Sequence, residues 1–136
     1  SLDEEKDGYK LNDYHVVNDV RGDGGIYSTI NDLFKWNMAL LDYKVVPKKL
    51  LDEAWIAGTL NNGEDFGYGY GWFIGDSSKP KSVFHSGGWV GFVTYLYNEI
   101  DTKSGYVILT NDSSRVLVDI INSINSIRET GKYVSK

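Results

Sequence analysis

There is no cysteine among the 136 residues. That excludes disulfides and thiolate-held metals, and it leaves the redox compartment open. Histidine is nearly as scarce. Only His15 and His85 offer an imidazole, and they lie far apart in sequence, so no metal site is expected. No apolar run approaches the roughly 20 residues of a membrane-spanning helix, and no apolar leader opens the chain. The first residue is Ser1 rather than Met, so the sequence reads as a processed product or a piece of a longer protein, and its start says nothing about the parent's location. Cations are outnumbered, 14 Lys and Arg against 19 Asp and Glu, and the net charge of −5 argues against a nucleic-acid partner.

Aromatic residues are plentiful: 4 Trp, 10 Tyr and 5 Phe in a chain that is 41% apolar, enough for a real core in one domain or the larger part of one. The charged start over 1–7 is expected to be solvated, within a flexible lead-in over 1–13. Residues 14–66 follow as a loop and helices, 67–128 as a sheet with a closing helix, and 129–136 as a tail. Thr29 caps a helix over Ile30–Leu41, with Asp32 in its favourable first turn. Ile30, Leu33, Phe34 and Leu41 mark one face, widened by Trp36 and Leu40. Pro47 opens a second helix whose buried side is Leu50, Leu51, Ala54 and Trp55, and Gly58 stops it. Asn61-Asn62-Gly63 is a turn. From Tyr68 to Gly75 the aromatic and glycine residues alternate as in a strand. Ser82–Ser86, Phe92–Glu99 and Gly105–Thr110 are further strands, and a last helix runs over about 115–128. The order is α+β: two helices, then an antiparallel sheet of about four strands with a C-terminal helix packed on it, and no βαβ unit.

The segment Phe84-His85-Ser86-Gly87-Gly88-Trp89-Val90-Gly91-Phe92 carries the most chemistry. A proton-transfer group lies beside backbone bare of side chains, where an extended substrate can pair with an edge strand. The bland alternative is a glycine-rich bend. Ser86 lacks the Gly-x-Ser-x-Gly frame, and neighbours on a strand point to opposite faces, so His85 is not its base. Ser78-Lys79-Pro80-Lys81 has the Ser-x-x-Lys spacing, but that spacing needs a helical turn, and Pro80 and the following strand deny one. Arg21-Gly22-Asp23 and the sequon Asn111-Asp112-Ser113 carry no weight alone.

Taken in order, these segments resemble the class C β-lactamase-like, penicillin-binding serine hydrolases. Asp23-Gly24-Gly25-Ile26-Tyr27-Ser28-Thr29 with Asp32-Leu33 and Trp36 is similar to their Gly-Gly-Leu-x-Ser-Thr-x-x-Asp-Leu stretch. Gly67-Tyr68-Gly69-Tyr70-Gly71-Trp72 is similar to their Tyr-Gly-x-Gly-Trp strand. His85-Ser86-Gly87 looks like the His-x-Gly variant of their Lys-Thr-Gly strand, and Thr110-Asn111 closes the last strand. The resemblance covers most of 14–128 and implies a partial β-lactamase/transpeptidase-like fold.

It also implies amide- or ester-bond hydrolysis by a parent enzyme, on a β-lactam, a D-amino-acid peptide or an ester. Such enzymes attack with a serine on Ser-x-x-Lys, aided by a Tyr-x-Asn tyrosine. No Tyr-x-Asn occurs here, so this chain is expected to be the C-terminal portion and inactive alone. His85 would assist proton movement at the serine–tyrosine pair. The Gly88 amide would be one oxyanion donor, worth about 2.7–4 kcal/mol at the transition state. Ser86, Gly87, Asp23, Gly24, Asn111 and Arg115 would meet the substrate. Histidine in place of lysine removes a fixed cation and shifts the expectation from β-lactams toward peptides and esters. No cofactor is implied. The alternative function is a non-catalytic peptide- or cell-wall-binding or regulatory module on the same fold, and a purely structural domain is the third reading. An uncovered sheet edge is expected to favour self-association.

Overall fold

Local chemistry fixes the first helix. In a computed structural model describing residues 2–5, 8–11, 22, 24–77, 79, 81–112 and 116–132, helix α1 spans Ile30–Leu41. The Thr29 hydroxyl accepts from the Asp32 N–H at 3.1 Å, and its own hydrogen goes to the Asp32 carboxylate at 3.0 Å. One orphan donor of the first turn is thus satisfied. The far end closes without glycine. Tyr43 takes a left-handed φ of 59°. Its N–H reaches the Leu40 carbonyl at 2.9 Å, and the Lys44 N–H reaches that of Ala39 at 2.8 Å. That pair of bonds is a Schellman closure, which usually recruits glycine because a Cβ crowds the backbone there. Tyr43 holds it by its side chain. The ring packs on Trp55 at 6.4 Å and lies under the Lys48 and Lys103 ammonium groups at 5.3 and 5.8 Å.

Helix α2 spans Lys48–Ala54 after Pro47. The sheet strands are β3 (Phe73–Ile74), β4 (Ser82–Trp89), β5 (Phe92–Glu99) and β6 (Ser104–Thr110), in the order β3-β4-β5-β6. Helix α3 spans Val116–Thr130. The chain is therefore α+β, with two helices before a four-stranded antiparallel sheet and one after it. At the start, β1 (Leu2–Glu5) pairs antiparallel with β2 (Gly8–Leu11).

The chain divides into two compact units. One holds residues 26–86 and 95–108, the other 1–25, 87–94 and 109–136. The core of the first is Leu40, Leu41, Leu51, Trp55 and Val83, flanked by Met38, Tyr43, Val46, Trp72, Ile74 and Ile100. Four core predictions fail in an informative way. Ile30, Phe34 and Trp36 are 46%, 48% and 42% exposed, Leu50 is 54% exposed, and the polar Asn37 is fully buried instead. Asn37 on α1 and Asn98 on β5 exchange two amide hydrogen bonds, at 2.6 and 2.8 Å. Each side chain satisfies the other, which is the condition for burying a primary amide. Gly105 on β6 gives the pair room. A Cβ there would overlap the Tyr97 carbonyl oxygen and lie 2.5 Å from Asn98 Oδ1. In the second unit, Leu117 of α3 is buried, while Val116, placed on the predicted stripe, is 46% exposed.

The alternating run from Tyr68 is not one strand. Gly67 and Gly71 have φ of 70° and 78°, and Tyr68 bridges back to Phe73. The Ile74 N–H reaches the Gly67 carbonyl at 2.9 Å, and that of Gly69 reaches Trp72 at 2.8 Å. The segment folds on itself as a tight turn, because glycine at these positions permits the reversal.

Candidate active site

Residues 54–58 and 66–70 are laced together by main chain. The Gly58 N–H donates to the Tyr68 carbonyl (2.8 Å), Phe66 to Gly58 (3.1 Å) and Tyr70 to Ala54 (3.1 Å). Gly69 lies so close to this ladder that a Cβ would overlap the Ala54 carbonyl oxygen and sit 2.8 Å from that of Ile56. The lacing fixes Tyr68, which stands edge-on to Phe73 at 4.8 Å. Phe73 stacks on Phe84 at 5.4 Å, and Phe84 meets Tyr95 at 5.7 Å. A row of rings thus supports the first turn of β4 from one side, with offset and edge contacts that favour fixed orientations. Burial, with help from Tyr97, pushes the Tyr95 phenol up to about 12, so it stays neutral near pH 7.

His85 stands on this platform. Its ring lies 5.8 Å from Tyr68 and 5.4 Å from Phe73. Nδ1 donates to the Ser86 carbonyl at 2.7 Å, and Nε2 meets the Tyr68 hydroxyl at 2.8 Å. A carbonyl only accepts, so Nδ1 carries the hydrogen. In the neutral ring Nε2 is then the bare nitrogen, and it accepts from Tyr68. The side chain is exposed yet held at both nitrogens.

Strand β3 pairs with Val83 and Phe84 only. The ladder on that side of β4 therefore ends where His85 begins. Ser86 is exposed, and its structural contribution is the carbonyl that orients His85. Gly87 and Gly88 continue β4 and are exposed. A Cβ on Gly87 would come within 2.8 Å of Thr94 Oγ1, whereas one on Gly88 would meet nothing within 4 Å. Glycine at 88 is thus not demanded by packing. Gly88→Ala is expected to leave unfolding free energy within about 0.5 kcal/mol of the parent in urea titration; a loss above about 1.5 kcal/mol would show a packing role instead.

The remaining predicted contacts are not gathered by any described interaction. Gly24 and Asn111 are exposed. Asp23 and Arg115 lie outside the described residues, as do His15, Ser78 and Pro80. Tyr68 was missed as a site residue. Its motif was visible, but its pairing with His85 across 17 residues needs the turn at Gly71.

Away from this site, Lys103 and then Lys44 hold the Asp42 carboxyl below the usual carboxylate range through hydrogen bonds of 3.1 Å each. This exposed cluster ties the end of α1 to the β5–β6 turn.

Among curated proteins, the chain is 37% identical over 93 residues to penicillin-binding protein 4* of Bacillus subtilis (strain 168), a match covering 68% of this chain and 21% of that protein. The chain therefore spans about one fifth of the length of the relative it matches. A family profile described as Beta-lactamase matches residues 2–123. With that match running over nearly the whole sequence, and with the His-Ser-Gly strand, the Tyr-Gly-x-Gly-Trp turn and the α+β order all present, this chain belongs to the β-lactamase family of serine hydrolase-like proteins.

Proposed function

We propose that this chain is the C-terminal part of a β-lactamase-like serine hydrolase acting on amide or ester bonds. It supplies the His-Ser-Gly strand and, through the Gly88 amide, one donor of the oxyanion hole. The observation that carries the reading is His85, an exposed imidazole fixed at both nitrogens at the point where the β3 ladder stops. An extended acyl group can lie along β4 from there, and no atom stands within 4 Å of where a Cβ on Gly88 would be, so no packed side chain covers that glycine.

Both nitrogens of His85 are occupied, so it assists proton movement through its hydrogen-bond partner rather than directly. A proton moving to or from Nε2 passes through the Tyr68 hydroxyl. Tyr68 is the positioning residue of the pair. The attacking serine and its Tyr-x-Asn partner would be contributed by sequence outside these 136 residues, since no Tyr-x-Asn occurs within them and their one Ser-x-x-Lys is interrupted by Pro80.

The test uses the full-length parent and an activated ester such as p-nitrophenyl acetate. His85→Ala is expected to lower kcat by on the order of a hundredfold. Tyr68→Phe is expected to change the pH profile while leaving KM close to the parent value. Unchanged turnover in His85→Ala removes the imidazole from the mechanism. A parent with no Ser-x-x-Lys helix would instead favour a binding module.

A further inference from the structure

A groove of about 340 Å³ opens beside Tyr68, on the face of the 54–58/66–70 lacing. Its walls are Ile56, Ala57, Phe66, Tyr68 and Tyr70, and the charged group among its lining residues is the Glu53 carboxylate. Ile56, Phe66 and Tyr70 are 61%, 55% and 73% exposed. That is much apolar surface for one rim of a chain to leave in water. The backbone beneath is rigid, because three main-chain hydrogen bonds tie its two edges and Gly69 is pressed against the Ala54 and Ile56 carbonyls. The groove is therefore pre-formed rather than a gap between mobile loops.

Its chemistry is selective. Three aromatic residues and one acidic residue line it, and among the described residues no lysine or arginine does. Such a set favours an organic cation on an apolar stem. The stem buries against Ile56 and Ala57, and the cation is attracted by the rings and the carboxylate together. A carboxylate ligand would meet like charge. Tyr68 belongs to both places: it lines the groove, and its hydroxyl holds His85 Nε2 at 2.8 Å.

We infer that this groove is a binding site for a primary ammonium group carried on an apolar or aromatic stem, coupled to His85 through Tyr68. The inference deepens the hydrolase reading and rests on it for one point only, that the ammonium-bearing group is part of the substrate. The preferred substrates are then amides or esters with an ammonium-tipped apolar side group.

The test begins with the 136-residue chain itself, labelled with ¹⁵N and titrated with 2-phenylethylamine, with 2-phenylethanol as the uncharged match. Saturable shifts are expected at Glu53, Ile56 and Tyr70 and on the His85 ring, with the amine binding at least tenfold tighter than the alcohol. Glu53→Gln, an exposed substitution that does not threaten folding, is expected to weaken amine binding about tenfold. In Tyr68→Phe the groove shifts persist and the His85 shift is lost. Equal binding of amine and alcohol, unchanged binding in Glu53→Gln, or a silent His85 in the unsubstituted chain overturns the inference. Ester hydrolysis by the full-length protein without amine binding here sinks the groove alone. Amine binding without hydrolysis sinks the hydrolase reading alone.

Discussion

Asn37→Leu is expected to destabilise the fold by about 3 kcal/mol in chemical denaturation. The substitution removes both partners of the Asn98 amide, which is fully buried and has its donor and acceptor committed to Asn37 at 2.8 and 2.6 Å. Leucine is similar in volume, so packing is nearly kept. What is lost is satisfaction of two polar groups in a place that water does not reach, each worth about 1–3 kcal/mol when stranded. The double variant Asn37→Leu/Asn98→Leu separates this from simple loss of hydrogen bonds. With both amides gone nothing is stranded, and much of the stability is expected to return. A double variant as unstable as the sum of the two singles would show that shape, not satisfaction, governs the site.

Gly69→Ala is the second large effect, and it links fold to chemistry. A single methyl cannot be placed at 69 without pushing on two main-chain carbonyls, those of Ala54 and Ile56, and carbonyls in a hydrogen-bonded ladder have little freedom to yield. Overpacking of this kind costs about 1–3 kcal/mol. The relief available is to part 66–70 from 54–58, which draws the Tyr68 hydroxyl off His85 Nε2. The expected result is therefore a joint loss: a lower urea midpoint, and in the full-length parent a fall in kcat on an activated ester together with the altered pH profile expected of Tyr68→Phe. Gly88→Ala is the contrast in stability alone, since a Cβ there meets nothing within 4 Å. If Gly69→Ala left both stability and turnover intact, the lacing would not be what positions Tyr68.

The elements that sequence reasoning located are those whose cause is local. Thr29 and Asp32 sit three residues apart and cap α1 by themselves, so its bounds are legible, as are Pro47 before α2 and the Asn62-Gly63 turn, where Gly63 has a φ of 87°. The strands expected at 82–86, 92–99 and 105–110 announce themselves by β-branched and aromatic runs, although the first runs on through Gly87 and Gly88 to Trp89. The failures have distant causes. Asn37 reads as a polar outer position of an amphipathic helix, and only a partner 61 residues away makes it core. Ile30 and Phe34 fit the apolar period yet remain outside, because periodicity says which residues share a face and not whether anything covers it. Around Tyr68 the glycines imitate strand alternation while their positive φ angles reverse the chain. The candidate site was half legible for the same reason. His85 stands out within nine residues of sequence, but the hydroxyl that holds it comes from beyond a turn that the pattern disguised.

The closure of α1 at Tyr43 bears on how the chain assembles. A glycine stop is written into the local sequence and works in an isolated peptide. Tyr43 has no such licence: its left-handed backbone is costly alone, and it is offset by Trp55 and by ammonium groups from α2 and the β5–β6 turn. The helix therefore learns where to end only after those later segments arrive. Until then its last turn frays, and the boundary between helix and loop is a product of tertiary docking, not a precondition for it.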